Sequence, residues 1–165
     1  MRRSTFLFVV SLLAVVVMAL PALAANPHFL SSKTGATGPD ADGNLTVFFK
    51  IAGLGDTVTT TVTATADATA TYACKNNGGN FPNDPKKEDV AGPVSASDDF
   101  TSGKNGQIQD TLVLMPPESE LDCPNGQTAT LVFVSYTNVA VSEPAAGTES
   151  IPGTFSAIID PDFFD

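Results

Sequence analysis

Two cysteines, one histidine and eighteen carboxylates are the residues with which this chain could do chemistry. A Ser-His-Asp or Cys-His site needs an imidazole as its base. The single one, His28, lies near a chain end, where positions are often poorly held. No Gly-x-Ser-x-Gly elbow is present. A zinc site would have one histidine and two cysteines to draw on, and those cysteines are expected to be oxidised. No glycine-rich phosphate loop leads into a helix. Acids are plentiful, so a carboxylate-pair hydrolase is the catalytic class that the residues permit. No pair is singled out, however, and the acids fall mainly in solvated loops. The chain therefore reads as a non-enzyme without metal or cofactor.

Binding chemistry concentrates in one stretch, Cys74 to Pro85. Gly78 and Gly79 allow positive φ, and Asn76, Asn77 and Asn80 tolerate it better than most residues. Pro82 and Pro85 forbid a regular ladder. Phe81 is the one large apolar group, and it reads as a plug holding the loop on the core. If the ring is exposed instead, it can stack on a sugar or a partner. The competing reading is a plain surface connection. A second segment, Cys123-Pro124-Asn125-Gly126, has similar composition. If Cys74 and Cys123 pair, as two cysteines in an exported chain should, the bridge ties the two loops together at one pole. Such a bridge closes a loop worth roughly 4 kcal/mol in the chain-entropy model. With Phe81 as the plug, Asn76, Asn77, Asn80 and Asn125 are the contact candidates, through amide and backbone hydrogen bonds.

Three weaker constellations stand apart from that pole. Asp40-Ala41-Asp42-Gly43-Asn44 puts oxygens at alternate positions, as a calcium loop does at its start. Where that loop requires a turn glycine and a closing glutamate stand Leu45 and Ile51. The stretch reads as an Asp-Gly turn feeding a strand, with a weak calcium site at Asp40, Asp42 and Asn44 as the alternative. The odd positions from Thr57 to Thr65 form a hydroxyl row suited to lie on a sugar, ice or mineral surface. The β propensity of threonine explains the same row as a solvated strand face. Lys50 and Asn138, on an early and a late strand, have the layout of an amide cross-link. Alternation turns Lys50 away from Val47, Phe49 and Ile51, towards water, which argues against it.

The first 24 residues read as an address. Arg2 and Arg3 precede an apolar run from Phe6 to Leu20, broken only by Ser11 and followed by Pro21 and Ala22-Leu23-Ala24. These are the parts of a secretory signal helix, with cleavage expected after Ala24. The run is short for a membrane span, which would be the alternative. The first cysteine is Cys74, so no lipidated cysteine starts the mature chain. With the signal go both arginines, leaving six lysines against eighteen acids. Such a chain repels nucleic acid and anionic membranes. It also lacks the bidentate binder of phosphate.

The elements that must hold the pole are strands. Leu45 to Ile51 alternates, with Leu45, Val47, Phe49 and Ile51 on one face. Thr57 to Cys74 alternates without a break, with mostly apolar residues at even positions and nearly all threonine at odd ones. That is long for one strand, so the sequence predicts two strands joined by a tight turn around Asp67. Val90 to Phe100, interrupted by Gly92-Pro93, reads as an edge. Ile108 to Leu114 is the next strand, and Glu118 to Gln127 an acidic loop. Thr128 to Val141 is strongest; Leu131-Val132-Phe133-Val134 is apolar on both faces and so belongs to a covered or central strand. Lys33 to Asn44 and Ser142 to Ser150 read as loops, Gly153 to Ile159 as the last strand and 160–165 as an acidic tail. About seven short strands give an all-β fold: an antiparallel immunoglobulin-like sandwich over 25–159, with a small closed barrel as the alternative.

Asn26-Pro27-His28-Phe29, Gly53-Leu54-Gly55, Tyr72-Ala73-Cys74 with Asn77-Gly78-Gly79-Asn80-Phe81-Pro82, and a single later cysteine carry a resemblance. Over most of the mature chain it resembles an uncharacterised group of small exported bacterial proteins with one disulfide. The resemblance implies a secreted sandwich and transfers no catalytic residue. The expected function is a secreted, extracellular, non-catalytic domain binding a glycan, a surface or a protein partner through the pole. The alternative is a structural part of an extracellular layer. N-terminal sequencing of secreted material should begin at Ala25. Retention of Met1 in a membrane fraction would overturn the signal.

Overall fold

The computed structural model describes residues 26–164. The signal read over 1–24 and its cleavage point lie outside them. Strands run in the order β1 (His28–Phe29), β2 (Gly35–Thr37), β3 (Leu45–Ala52), β4 (Thr59–Asn76), β5 (Lys87–Thr101), β6 (Ile108–Leu114), β7 (Gln127–Glu143), β8 (Gly147–Ile151) and β9 (Phe155–Ile158). Short 3-10 turns occupy Ser31–Lys33 and Pro161–Phe163. The fold is all-β, in two antiparallel sheets. In the smaller sheet β6 pairs one edge of β3, and β1 and β2 share the other. The larger sheet runs β5-β4-β7, with β8 and β9 sharing the far edge of β7.

Alternation decides what each sheet puts inside. Leu45, Val47, Phe49 and Ile51 of β3 are wholly buried. Val62, Ala64, Ala66, Ala68 and Ala70 of β4 line the opposite wall of the same core. One wall is large and the other small, so the volumes complement each other. Phe100 from β5 meets Phe49 edge to face, with ring centres 5.2 Å apart.

The predicted turn around Asp67 does not exist. β4 runs unbroken through it, with Asp67 opposite Pro93 of β5 and Thr137 of β7. Nothing between Thr57 and Cys74 is a glycine or proline that would reverse the chain. Two long neighbours supply a continuous ladder instead. β5 pairs without a shift from Thr59↔Thr101 to Ala73↔Lys87, and it lies at the sheet edge as expected.

Irregularity is taken up by β7. Its register with β4 slips where Asn138 and Val139 oppose the single residue Ala66. Asn138 has φ 52°, the left-handed conformation that asparagine tolerates. The bulge shifts the alternation by one, so Val134 and Tyr136 before it and Val139 and Val141 after it all face the core. A second slip at Val132 explains the stretch read as apolar on both faces. Flanked by β4 and by β8 with β9, β7 is an interior strand.

Two predicted loops contain strands. β2 lies within 33–44, where Gly35 pairs with Phe48 so closely that a Cβ would sit 2.6 Å from the ring. The loop read over 142–150 is a hairpin. Glu143 pairs with Gly147, and its Oε2 accepts from the backbone N–H groups of Ala145 and Ala146.

One buried tyrosine ties the two sheets to a turn. Tyr136 donates to the carbonyl of Gly43 at 2.7 Å and contacts that of Leu114 at 3.4 Å. Burial pushes its phenol far above the ordinary tyrosine range, with Tyr72 and Asp40 adding to the effect. Gly43 has φ 86°, and a Cβ there would meet Leu131 at 2.5 Å. Tyr136→Phe keeps the ring and strands the Gly43 carbonyl. Thermal or urea unfolding should show a loss of about 1–3 kcal/mol, and an unchanged midpoint would show that this bond carries nothing.

Candidate functional site

β4 outruns its hydrophobic need at one end, and the candidate site is built there. Cys74 is wholly buried within the strand, on its core face. It is bonded to Cys123, with the Cα atoms 5.6 Å apart. The bridge therefore fastens the 115–126 loop onto a strand; it does not join two loops, as the sequence reading had it. The phase that turns Cys74 inward turns Lys75 outward.

The two predicted segments do touch. The Asn77 N–H donates to the Gly126 carbonyl at 3.2 Å, and Lys86 Nζ donates to the Asp122 carbonyl at 2.6 Å. Within the first loop the amides hold the backbone. Asn76 Oδ1 accepts from the N–H groups of Gly78 and Asn80, both at 3.0 Å, and Asn80 Nδ2 donates to the Gly78 carbonyl. Asn76 and Asn80 are thus occupied in shaping the turn. Asn77 and Asn125 stand exposed.

Phe81 is half-buried, and what buries it is the C-terminal segment. Its ring meets Phe163 edge to face at 5.3 Å, and Phe163 meets Phe164 the same way at 4.9 Å. Lys75 Nζ lies 4.9 Å above the Phe81 ring and is paired with the Asp160 carboxylate, with Asp162 at 3.9 Å. The 160–165 stretch, read as a tail, is docked here as far as it is described. Lys75, Asp162, Phe163 and Lys87 were not singled out from the sequence. The doublet Phe163-Phe164 in an acidic segment was the available signal, because two adjacent large rings seldom stay in water without a use.

Two grooves flank Phe163. The first, about 430 Å³, runs between residues 81–85 on one side and Asp162 and Phe163 on the other. The second, about 390 Å³, is bounded by Phe133, Ile158, Phe163 and Phe164, with Thr71 and Asp89 on its rim. Lys87 borders both. Ile158 and Phe164 are 57% and 55% exposed, so the second groove has an open apolar floor. Rings beside carboxylates and a lysine can stack on a flat ligand and hydrogen-bond its edge.

The other constellations have structural occupations. Asp40 Oδ1 accepts from the N–H groups of Asp42 and Asn44 at 2.9 and 2.8 Å. The Asn44 N–H is the largest influence holding the Asp40 carboxyl below its usual range. The carboxylate closes an Asp-Gly turn. Asn138 Nδ2 donates to Asp67 at 2.7 Å, far from Lys50, which lies in the other sheet opposite Gln109; the cross-link layout is not formed. His28 is exposed, its Nδ1 2.8 Å from the Asn26 carbonyl. The threonine row faces outward and bonds across to β5: Thr59 with Thr101, Thr61 with Asp99 and Thr63 with Ser97.

The Phe81–Phe163 contact can be weighed by a double-mutant cycle on Phe81→Ala and Phe163→Ala. The expected coupling is about 0.5–1.5 kcal/mol, that of an edge-to-face pair. Additive losses would show that the loop and the C-terminal segment are held independently. No protein-family model matches this chain and none of the curated proteins does, so its functional reading rests on the geometry of this pole.

Proposed function

We propose that the protein is an exported, non-catalytic immunoglobulin-like domain that binds a glycan through its disulfide-tied pole. The observation that carries this reading is the pair of grooves around Phe163, with rings, carboxylates and a lysine on their walls. Sugar rings present apolar faces for stacking and hydroxyls for hydrogen bonding, and this lining offers partners for both. The backbone beneath is rigid: a disulfide, an ion pair and a loop laced by its own asparagines. Preorganisation of that kind lowers the ordering cost of binding.

The immunoglobulin-like reading is supported by strand order. Taking β1 with β2 as the first strand and β8 with β9 as the last, sequence positions one, two and five form the smaller sheet. Positions four, three, six and seven form the larger. Loops then cluster at the two ends, where such sandwiches carry their sites. Export agrees with the disulfide, because such bonds persist in oxidising compartments. The resemblance to small exported bacterial proteins belongs to the same reading.

A second reading, a structural part of an extracellular layer, is favoured by the outer face of the larger sheet. Its broad threonine and serine surface on β4 and β5 is suited to lateral contact. Sedimentation separates the two, since a layer component self-associates at micromolar concentration and a glycan-binding module stays monomeric.

The direct test is a glycan array probed with the chain starting at Ala25. Binding is expected, and Phe81→Ala with Phe163→Ala should weaken it by roughly tenfold or more, since stacking contributes about 1–3 kcal/mol per ring where it has been measured on bases. A ligand that survives replacement of residues 76–84 by a Gly-Ser link would refute the pole as the site.

A further inference from the structure

The geometry points to a positively charged amino-sugar oligosaccharide, several residues long, as the ligand of the Phe163 grooves. This inference rests on the glycan-binding reading above and adds its charge and length. Length follows from continuity: both grooves share Phe163 and Lys87, so a ligand filling one can pass over that wall into the other. Each groove, at about 430 and 390 Å³, is of the size that holds one small ligand. One monosaccharide would leave half the lined surface unused.

Charge follows from the lining. Asp84 and Asp162 border the first groove and Asp89 the second, against the single cation Lys87. Lys75 redresses the balance only in part, because its nearer partner is Asp160 and it stands 3.9 Å from Asp162, which leaves Asp84 and Asp89 against Lys87. Asp89 accepts from the Thr71 hydroxyl at 2.6 Å, and Asp84 forms no ion pair among the described residues. The walls therefore keep an excess of carboxylates beside apolar rings. A neutral sugar would satisfy the rings and leave this charge unanswered. A polyanion would be repelled, all the more because the chain as a whole carries net charge −10. A linear polymer of amino sugars offers ring faces to Phe163 and Phe164 and ammonium groups to the carboxylates that line the same grooves. Exposed ammonium–carboxylate contacts are individually weak, so they select among sugars while stacking holds them.

The test compares hexamers of β-1,4-linked glucosamine, N-acetylglucosamine and glucose, titrated calorimetrically into the disulfide-bonded chain at mildly acid pH and low salt. The glucosamine hexamer should bind about tenfold tighter than the two neutral ones, with the preference shrinking as salt rises. Asp84→Asn with Asp162→Asn should bring the three close to equality. Both sites are on the surface, and circular dichroism checks the fold. Asp98→Asn with Asp99→Asn, at the opposite end of β5, should leave the preference intact. If that distant pair removes as much, the preference is bulk charge and the inference falls. Equal binding of all three hexamers by the unaltered protein also overturns it and leaves glycan binding standing. Binding of none removes both readings together.

Discussion

The backbone ladder of β4 is the constraint on which the rest of the structure depends. It is paired on both sides over nearly its whole length, to β5 in constant register and to β7 with two slips. Because β4 keeps its alternation, one face is apolar but for Thr60 and the other is threonine but for Asp67, until Ala73. The small inner residues let the partner sheet bring Phe49, Leu45 and Ile51 into a dry core. A one-residue slip of β4 would turn threonines into that core and alanines into water. The neighbours accordingly absorb the twist, with Asn138 in a left-handed bulge and β8 and β9 dividing one edge between them.

What was legible in the sequence was whatever depends on period and count. Leu45 to Ile51 and Ile108 to Leu114 show their inner faces directly, because pleating alone decides them. Two cysteines in a chain with a signal-like start leave one pairing. The Asp67 turn failed because strand length was judged without its partners: an isolated strand of eighteen residues is rare, but one held between two long neighbours is stable. The β8 hairpin was hidden because its turn is closed by Glu143, a side chain whose role is set by the fold. Tyr136 could not be assigned from pattern either. Its partner, Gly43, lies 93 residues earlier in the chain, a separation that no local rule spans.

The pole follows a similar division. Its loop was recognisable from glycine, asparagine and proline content, and the asparagines do shape it. Its apolar contacts were not, because half of them arrive from the other end of the chain. Phe81 sits between the two readings proposed for it. It is an anchor, but onto Phe163 and Lys75 rather than into the core, and its remaining surface helps form a groove. Lys75 explains the arrangement. Strand phase sends it out beside Cys74, and an outward cation at a covered position must find a carboxylate. Asp160 supplies it, which sets where the last turn and its two phenylalanines come to rest.

The threonine face and the pole compete as the surface that matters, and hydrogen-bond accounting separates them. A hydroxyl lattice binds a surface through donors and acceptors left open. On β4 those groups already have neighbours, since Thr59, Thr61, Thr63 and Thr71 each bond to a residue of β5. Displacing such a bond returns little, because one contact is exchanged for another. Hydroxyls bonded across strands do serve the sheet, tying an edge strand that has Pro93 in its middle. At the pole the balance is reversed. Ile158 and Phe164 expose more than half of their surface, and across the two grooves Asp84, Asp89 and Asp162 outnumber Lys87. Apolar surface in water and like charges held near one another both cost free energy in the isolated molecule. A ligand that covers the one and neutralises the other gains on both counts, so the grooves around Phe163 are where this sandwich has most to gain by binding.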